Sequence, residues 1–308
     1  MKIYLETTFM EKQLYQPIIN RYPQFEFTFN KDEDCEILIG VFFDRDEIYF
    51  DHFKNLKWIM LFVAGFDHLD LAYLKKRQIM LTNGQTVYDI QIAEDVVAKM
   101  LFLNRQMGIY HDQMKTHVWK HQAPHYELYQ QQVLILGAGS IGQLIAKRLK
   151  AFEMEIIGYK RTYENLDNFD AIITKKDELI KYYRSCDYLI VCLPLTKQTK
   201  NFIDKKVFDL LKPTALLINI ARGDIIDQDA LIDALNQNKI RGAALDVTSP
   251  EPLPKNHPLW DANHVFITPH NASASPMMQQ RRLDLICDQL DLFLTDKKIQ
   301  FIITRGQL

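Results

Sequence analysis

The chain has 308 residues, 47% hydrophobic and 25% charged, with a formal net charge of −2. That length exceeds one ordinary core and suits two soluble globular domains. The near-neutral charge removes any electrostatic case for nucleic acid or an anionic membrane as partner, and no apolar run approaches the roughly 20 residues of a membrane-spanning helix. The N-terminus, Met1-Lys2-Ile3-Tyr4-Leu5, runs straight into strand-like alternation without an apolar signal segment. Cys35, Cys186, Cys192 and Cys287 are widely spaced and form no CxxC pair, so free thiols in a reduced cytoplasm are expected.

Residues 3–5, 25–29, 37–41, 58–62 and 79–81 read as strands, with amphipathic helical stretches at 12–21 and 69–76. This alternation predicts an α/β domain with a parallel sheet. A helical pattern from about residue 90 to 116 then carries the chain into a second alternating series. Its strands fall at 133–136, 155–159, 188–192, 215–219, 243–247 and 265–268, and a helix follows the first of them over 141–152. Asp204 and Asp227 are expected N-caps. Ser275-Pro276 starts a last helix that runs to about residue 296 and returns to the first domain. Two doubly wound parallel-sheet domains result. A Rossmann dinucleotide-binding domain (96–274) is inserted into a discontinuous flavodoxin-like substrate domain (1–95 and 275–308).

The first strand of the second series ends in Gly137-Ala138-Gly139-Ser140-Ile141-Gly142. The first glycine permits a tight turn, the second lets backbone approach a pyrophosphate, and the third allows close helix–strand packing. The following helix N-terminus offers free N–H groups and a positive dipole end to phosphates. An NAD-specific site carries Asp or Glu at the end of the second strand. Here the residues are Lys160-Arg161-Thr162, which suit a 2′-phosphate and favour NADPH, with NADH as the alternative.

In parallel sheets ligands bind beyond the carboxyl ends of the strands. Three such ends lead into Ala221-Arg222-Gly223, into Thr248-Ser249-Pro250-Glu251, and into Pro269-His270. An arginine can hold a carboxylate and polarise the adjacent carbonyl, and a histidine can protonate the developing alkoxide. A carboxylate beside that histidine favours and orients the imidazolium. These are the groups that reduction of a 2-keto acid requires.

At this point the sequence resembles the D-isomer-specific 2-hydroxyacid dehydrogenases, including glyoxylate/hydroxypyruvate reductases. The resemblance is densest from Leu193-Pro194-Leu195-Thr196, through Leu217 to Asp227 and Ala244-Leu245-Asp246-Val247, to Thr268-Pro269-His270. Weaker matches reach Val63-Ala64-Gly65-Phe66-Asp67 and Ala93-Glu94-Asp95. The resemblance implies that Arg222 binds substrate, that Glu251 partners His270, and that His270 is the acid/base. It implies that backbone N–H groups of Val63, Ala64 and Gly65 meet the substrate carboxylate and that Asp246 contacts the nicotinamide carboxamide. It adds Leu193, Pro194 and Ala221 to the cofactor residues and implies a homodimer built through the cofactor domain. Lys160 departs from the Asp of many members, in line with the charge argument.

The expected activity is NADPH-dependent reduction of small 2-keto acids, of the glyoxylate and hydroxypyruvate class, to D-2-hydroxy acids. An NAD-dependent oxidative dehydrogenase and a non-enzymatic dinucleotide sensor of corepressor type are the alternatives. His117, His121 and His125 recur at a spacing of four, but Pro124 interrupts the helix and no metal site is expected. Trp119 and Tyr126 are read as core or interface residues.

Overall fold

The computed structural model describes residues 1–303 apart from Asp44 and Ala123, and its contacts divide the chain into two units. One comprises Met1–Tyr88 and the chain from Ala274 onward; the other is Asp89–Ser273. A boundary at 95/96 would cut a helix that the second unit keeps whole.

In the first unit the elements are β1 (Lys2–Leu5), α1 (Gln16–Arg21), β2 (Glu26–Thr28), β3 (Ile37–Gly40), α2 (Glu47–Asp51), β4 (Trp58–Leu61), α3 (Leu71–Lys76) and β5 (Met80–Thr82). Among the described residues they form a five-stranded sheet in the order β2-β1-β3-β4-β5, with every pairing parallel. This is the flavodoxin-like order. Residues of β3 and β4 are buried throughout, which explains why these strands read as continuous apolar runs rather than alternating ones. Asp46 and Asp70 cap α2 and α3 by accepting first-turn N–H groups.

The second unit opens with α4 (Asp89–Asn104) and α5 (Met107–Lys115). The pattern predicts one helix here, but the chain breaks at Gln106, whose φ is +53°. The cause lies far off in sequence. The Asn104 side chain donates to the Tyr188 hydroxyl (2.7 Å) and accepts from Arg241 (3.0 Å), while its carbonyl accepts from the Tyr126 N–H. Arg241 also stacks 3.9 Å from the centroid of Tyr126, which is thereby packed, whereas Trp119 is 95% exposed.

There follow β6 (Gln132–Leu136), α6 (Ser140–Lys150), β7 (Glu155–Tyr159), β8 (Ala171–Ile173), α7 (Leu179–Ser185), β9 (Tyr188–Val191), α8 (Lys205–Phe208), β10 (Leu216–Asn219), α9 (Gln228–Asn236), β11 (Gly242–Leu245) and β12 (Val265–Ile267). The described strands form a seven-stranded parallel sheet, β12-β11-β10-β9-β6-β7-β8, the Rossmann order with one strand added. The order reverses between β6 and β9. Asp204 and Asp227 cap α8 and α9 as expected. The edge strand β8, only partly buried at two of its three residues, has no counterpart among the strands read from sequence.

The chain then returns to the first unit as α10 (Met278–Leu294). Ser275 Oγ accepts the Met277 N–H at 3.1 Å, so Ser275-Pro276 forms a turn ahead of the helix rather than its first residues. No helix among the described residues is long and apolar enough to cross a membrane.

Candidate active site

Register places the predicted residues of the second unit on one rim. Leu136 pairs with Tyr159 and Val191, Val191 with Asn219, Asn219 with Leu245, and Leu245 with Ile267. The strands thus end in one row, and the segments leaving them all emerge at the same edge.

At the switch point, Gly137 has φ +108°, and a Cβ there would lie 2.6 Å from the Cys192 carbonyl oxygen. The N–H groups of Gly137 and Ala138 both donate to the Tyr159 carbonyl. A Cβ on Gly142 would lie 2.2 Å from the Gly137 oxygen. These two glycines are demanded by the protein's own packing. Gly139 differs, because a Cβ there would meet nothing within 4 Å. It is the N-cap of α6 and supplies no side-chain acceptor to the first-turn N–H groups. Space above a glycine, beside a helix N-terminus that begins Ser140-Ile141, is the cradle a pyrophosphate needs, so the residues fit a dinucleotide.

Lys160 follows β7, and its N–H donates to the Ile173 carbonyl at the end of β8 (3.1 Å). Its ammonium is paired with Glu164, while Arg161 and Thr162 are exposed. Since β8 ends beside β7, Lys175 and Lys176 leave the sheet next to Lys160-Arg161. Sequence reading missed this second basic pair because it missed the strand. Beyond β9, Thr199 Oγ1 donates to the Pro194 carbonyl at 2.6 Å and braces the Leu193-Pro194 turn.

The loop after β10 is built by Asn219, whose buried side chain donates to the Arg222 carbonyl (3.0 Å) and accepts the Ala221 N–H (3.0 Å). Arg222 Nη1 donates to the Ala221 carbonyl at 2.7 Å. A Cβ on Gly223 would stand 2.1 Å from the Thr248 backbone, so glycine is what allows this loop to lie against the next one. In that next loop Glu251 Oε1 accepts the Thr248 N–H at 3.0 Å. Its other oxygen lies 2.8 Å from His270 Nδ1.

An ionised carboxylate only accepts, so Nδ1–H donates to it, and Nε2 is left as the proton-exchanging nitrogen. The Glu251 hydrogen bond raises the His270 pKa above the ordinary value of 6.5, against opposition from burial and from the Arg222 charge. Burial opposes ionisation of Glu251, but the His270 and Thr248 hydrogen bonds outweigh it and hold the carboxyl below its usual range. His270 has φ +50° and is held in that left-handed conformation by its N–H, which donates to the carbonyls of Asp246 (2.8 Å) and Thr268 (3.0 Å). Asp246 itself is 2% exposed, and its carboxylate accepts from Thr268 Oγ1 (2.6 Å), Asn271 N (3.1 Å) and Ala272 N (2.9 Å). Asn219, Gly223 and Thr248 carry no motif of their own that points to these positioning tasks.

Val63-Ala64-Gly65 belongs to the first unit and leaves the carboxyl end of β4. Asn83 Nδ2 donates to the Ala64 carbonyl (2.7 Å), and the Gly84 N–H donates to the Val63 carbonyl (2.7 Å). A Cβ on Gly84 would lie 2.4 Å from the Phe62 backbone, so this loop is braced by close contact.

Residues 97–272 match the family model for the D-isomer specific 2-hydroxyacid dehydrogenase, NAD binding domain. The chain belongs to this family. It is 33% identical to a glyoxylate reductase of Pyrococcus furiosus, over 85% of this chain and 80% of that one. It is 38% identical to the glyoxylate reductase/hydroxypyruvate reductase of Homo sapiens, over 72% and 69%. Among solved structures, a D-isomer specific 2-hydroxyacid dehydrogenase family protein from Aeromonas salmonicida superposes with a TM-score of 0.84 at 27% identity, covering 98% of each chain. An acyclic imino acid reductase solved with NADPH and D-Arg gives the same TM-score at 25% identity, over 99% of this chain and 100% of that one. As a member of the family, the protein is an NAD(P)-dependent oxidoreductase whose second unit binds a nicotinamide dinucleotide.

Proposed function

We propose that the enzyme uses NADPH to reduce small 2-keto acids, of the glyoxylate and hydroxypyruvate class, to D-2-hydroxy acids. The observation that carries this reading is the 2.8 Å pair of His270, after β12, and Glu251, after the neighbouring β11, with Arg222 after the next strand, β10, on the same rim. The relatives named as glyoxylate reductases support the substrate class.

A reduced nicotinamide dinucleotide, its pyrophosphate held by the Gly137–Gly142 loop, would supply the hydride when bound. Arg222 holds the substrate carboxylate through its fork of N–H groups and offsets negative charge gathering on the carbonyl oxygen. His270 gives its Nε2 proton to that oxygen, and Glu251 stabilises the imidazolium before transfer. The N–H groups of Val63, Ala64 and Gly65 are assigned to the substrate carboxylate, and Asp246, Leu193, Pro194 and Ala221 to the cofactor's surroundings. Exposed Met107, Ile109, Met114, Val118 and Trp119, on and after α5, support a homodimer formed through the second unit.

The preference for NADPH rests on Lys160, Arg161 and Thr162, with Lys175 and Lys176 adding positive charge at the neighbouring strand end. Hydrogen bonds to charged groups contribute about 1.5–3 kcal/mol. Lys160→Asp is therefore expected to lower the NADPH/NADH ratio of kcat/KM by about tenfold to a hundredfold, since each 1.4 kcal/mol is tenfold. Steady-state kinetics with one keto acid and both cofactors reads this directly. An unchanged ratio would remove Lys160 from the 2′-phosphate site.

A further inference from the structure

Beside Asp246 the second unit holds an ion pair, Lys99 and Asp95, that the proposed reaction leaves unused. Lys99 lies on α4 and is 2% exposed. Its ammonium is bonded to Asp95 one turn earlier and stands 3.8 Å from Asp246 Oδ1. Helix α4 packs against β10 and β11, which brings Lys99 to the residue that follows β11.

The Asp246 carboxylate accepts three hydrogen bonds, from Thr268, Asn271 and Ala272, on both sides of His270 in the chain. An ionised carboxylate is an acceptor only, so it suits three converging donors. A protonated one would turn an O–H toward N–H groups and lose part of that anchorage. A buried carboxylate deprived of its counter-charge takes up a proton in preference to staying charged. The charged groups around Asp246 are Lys99 and Asp95 on α4 and His270 on its own loop, and Arg222 acts on His270 from the loop after β10. Burial pushes the Asp95 carboxyl above its usual range, against the pull of Lys99. A carboxyl is never cationic, so Lys99 is the cation that faces Asp246 in this cluster.

We infer that Lys99 is a positioning residue for the acid–base step, its buried ammonium keeping Asp246 the acceptor-only anion that fixes the His270 loop. This rests on His270 being the acid–base group. The test is the pH profile of kcat/KM for Lys99→Met, beside Lys99→Arg and His270→Gln, with the His270 ring titration followed by NMR. Lys99→Met is expected to show an added acid-side loss, about tenfold one pH unit below the new ionisation, that recovers as pH rises. Its His270 ring should titrate at lower pH than in the unsubstituted enzyme, and Lys99→Arg should restore both properties. If Lys99→Met does not fold, Lys99→Gln, which is one bond shorter but keeps a donor without charge, reads the same acid-side loss.

A profile superimposable on that of the unsubstituted enzyme would overturn the inference. So would a pH-independent loss shared by Lys99→Arg, which marks a space-filling role. The two failures are distinguishable. A His270→Gln enzyme that keeps its turnover defeats the acid–base reading, whereas an unaltered Lys99→Met profile beside an inactive His270→Gln defeats only the role of Lys99.

Discussion

Replacing His270 by glutamine is expected to cut keto-acid turnover by about 10²–10⁴-fold, the usual contribution of a positioned proton donor. Dinucleotide affinity should change by less than about twofold, because the glycine loop assigned to the pyrophosphate lies at a different strand end. Single-turnover kinetics and a cofactor titration on the same preparation check both halves. An equal loss in the two would take the acid–base role from His270.

The pH dependence follows from the same pair. In the proposed reduction the donor is the His270 imidazolium, whose pKa the Glu251 hydrogen bond raises above 6.5. Reductive kcat/KM is therefore highest below that raised pKa and falls as pH rises through it. Oxidation needs the neutral ring and runs the other way. Glu251→Gln removes the main raising contribution, so the alkaline fall in reduction should move to lower pH.

The glycine loop yields a second large effect. Gly139→Val should weaken cofactor binding at least about a hundredfold, a loss of ~3 kcal/mol, while leaving the melting temperature near that of the unsubstituted chain. The reason is geometric: a Cβ at Gly139 meets nothing within 4 Å beyond its chain neighbours and its own helix, so the added side chain starts in open space beside the helix N-terminus, the space assigned to the pyrophosphate. Gly142→Ala is the opposite case. Its Cβ would stand 2.2 Å from the Gly137 oxygen, and the strand–helix junction must open to admit it. Overpacking of this kind costs about 1–3 kcal/mol, so the melting temperature should fall with affinity. Calorimetry and cofactor titration on the two variants separate a ligand cradle from a packing contact. If Gly139→Val bound cofactor normally, the loop would not be the pyrophosphate site.

Much of the architecture was legible because its signals are local. Parallel strands buried on both faces appear as apolar runs, aspartates before α8 and α9 announce caps, and glycines follow β6 where the chain must turn. The convergence of Arg222, Glu251 and His270 on one rim could be anticipated because all three follow strand ends, and parallel strands deliver their ends to one edge.

The features that escaped sequence reading are decided by distant partners. The break between α4 and α5 depends on Asn104 meeting Tyr188 and Arg241. Gly223 looks like an ordinary turn glycine until the Thr248 backbone is set 2.1 Å from its missing Cβ. Lys99 carries no signal of its own in the sequence; its burial comes from α4 packing on β10 and β11, which also brings it to Asp246. With β8 unseen, Lys175 and Lys176 had no reason to stand beside Lys160.

The most direct test is NADPH oxidation by the purified enzyme with glyoxylate and hydroxypyruvate, compared with NADH under the same conditions. The account predicts D-2-hydroxy acid formed in step with NADPH consumed, at a higher kcat/KM than with NADH. Tight NADPH binding without turnover on either keto acid, or a clear preference for NADH, would contradict it.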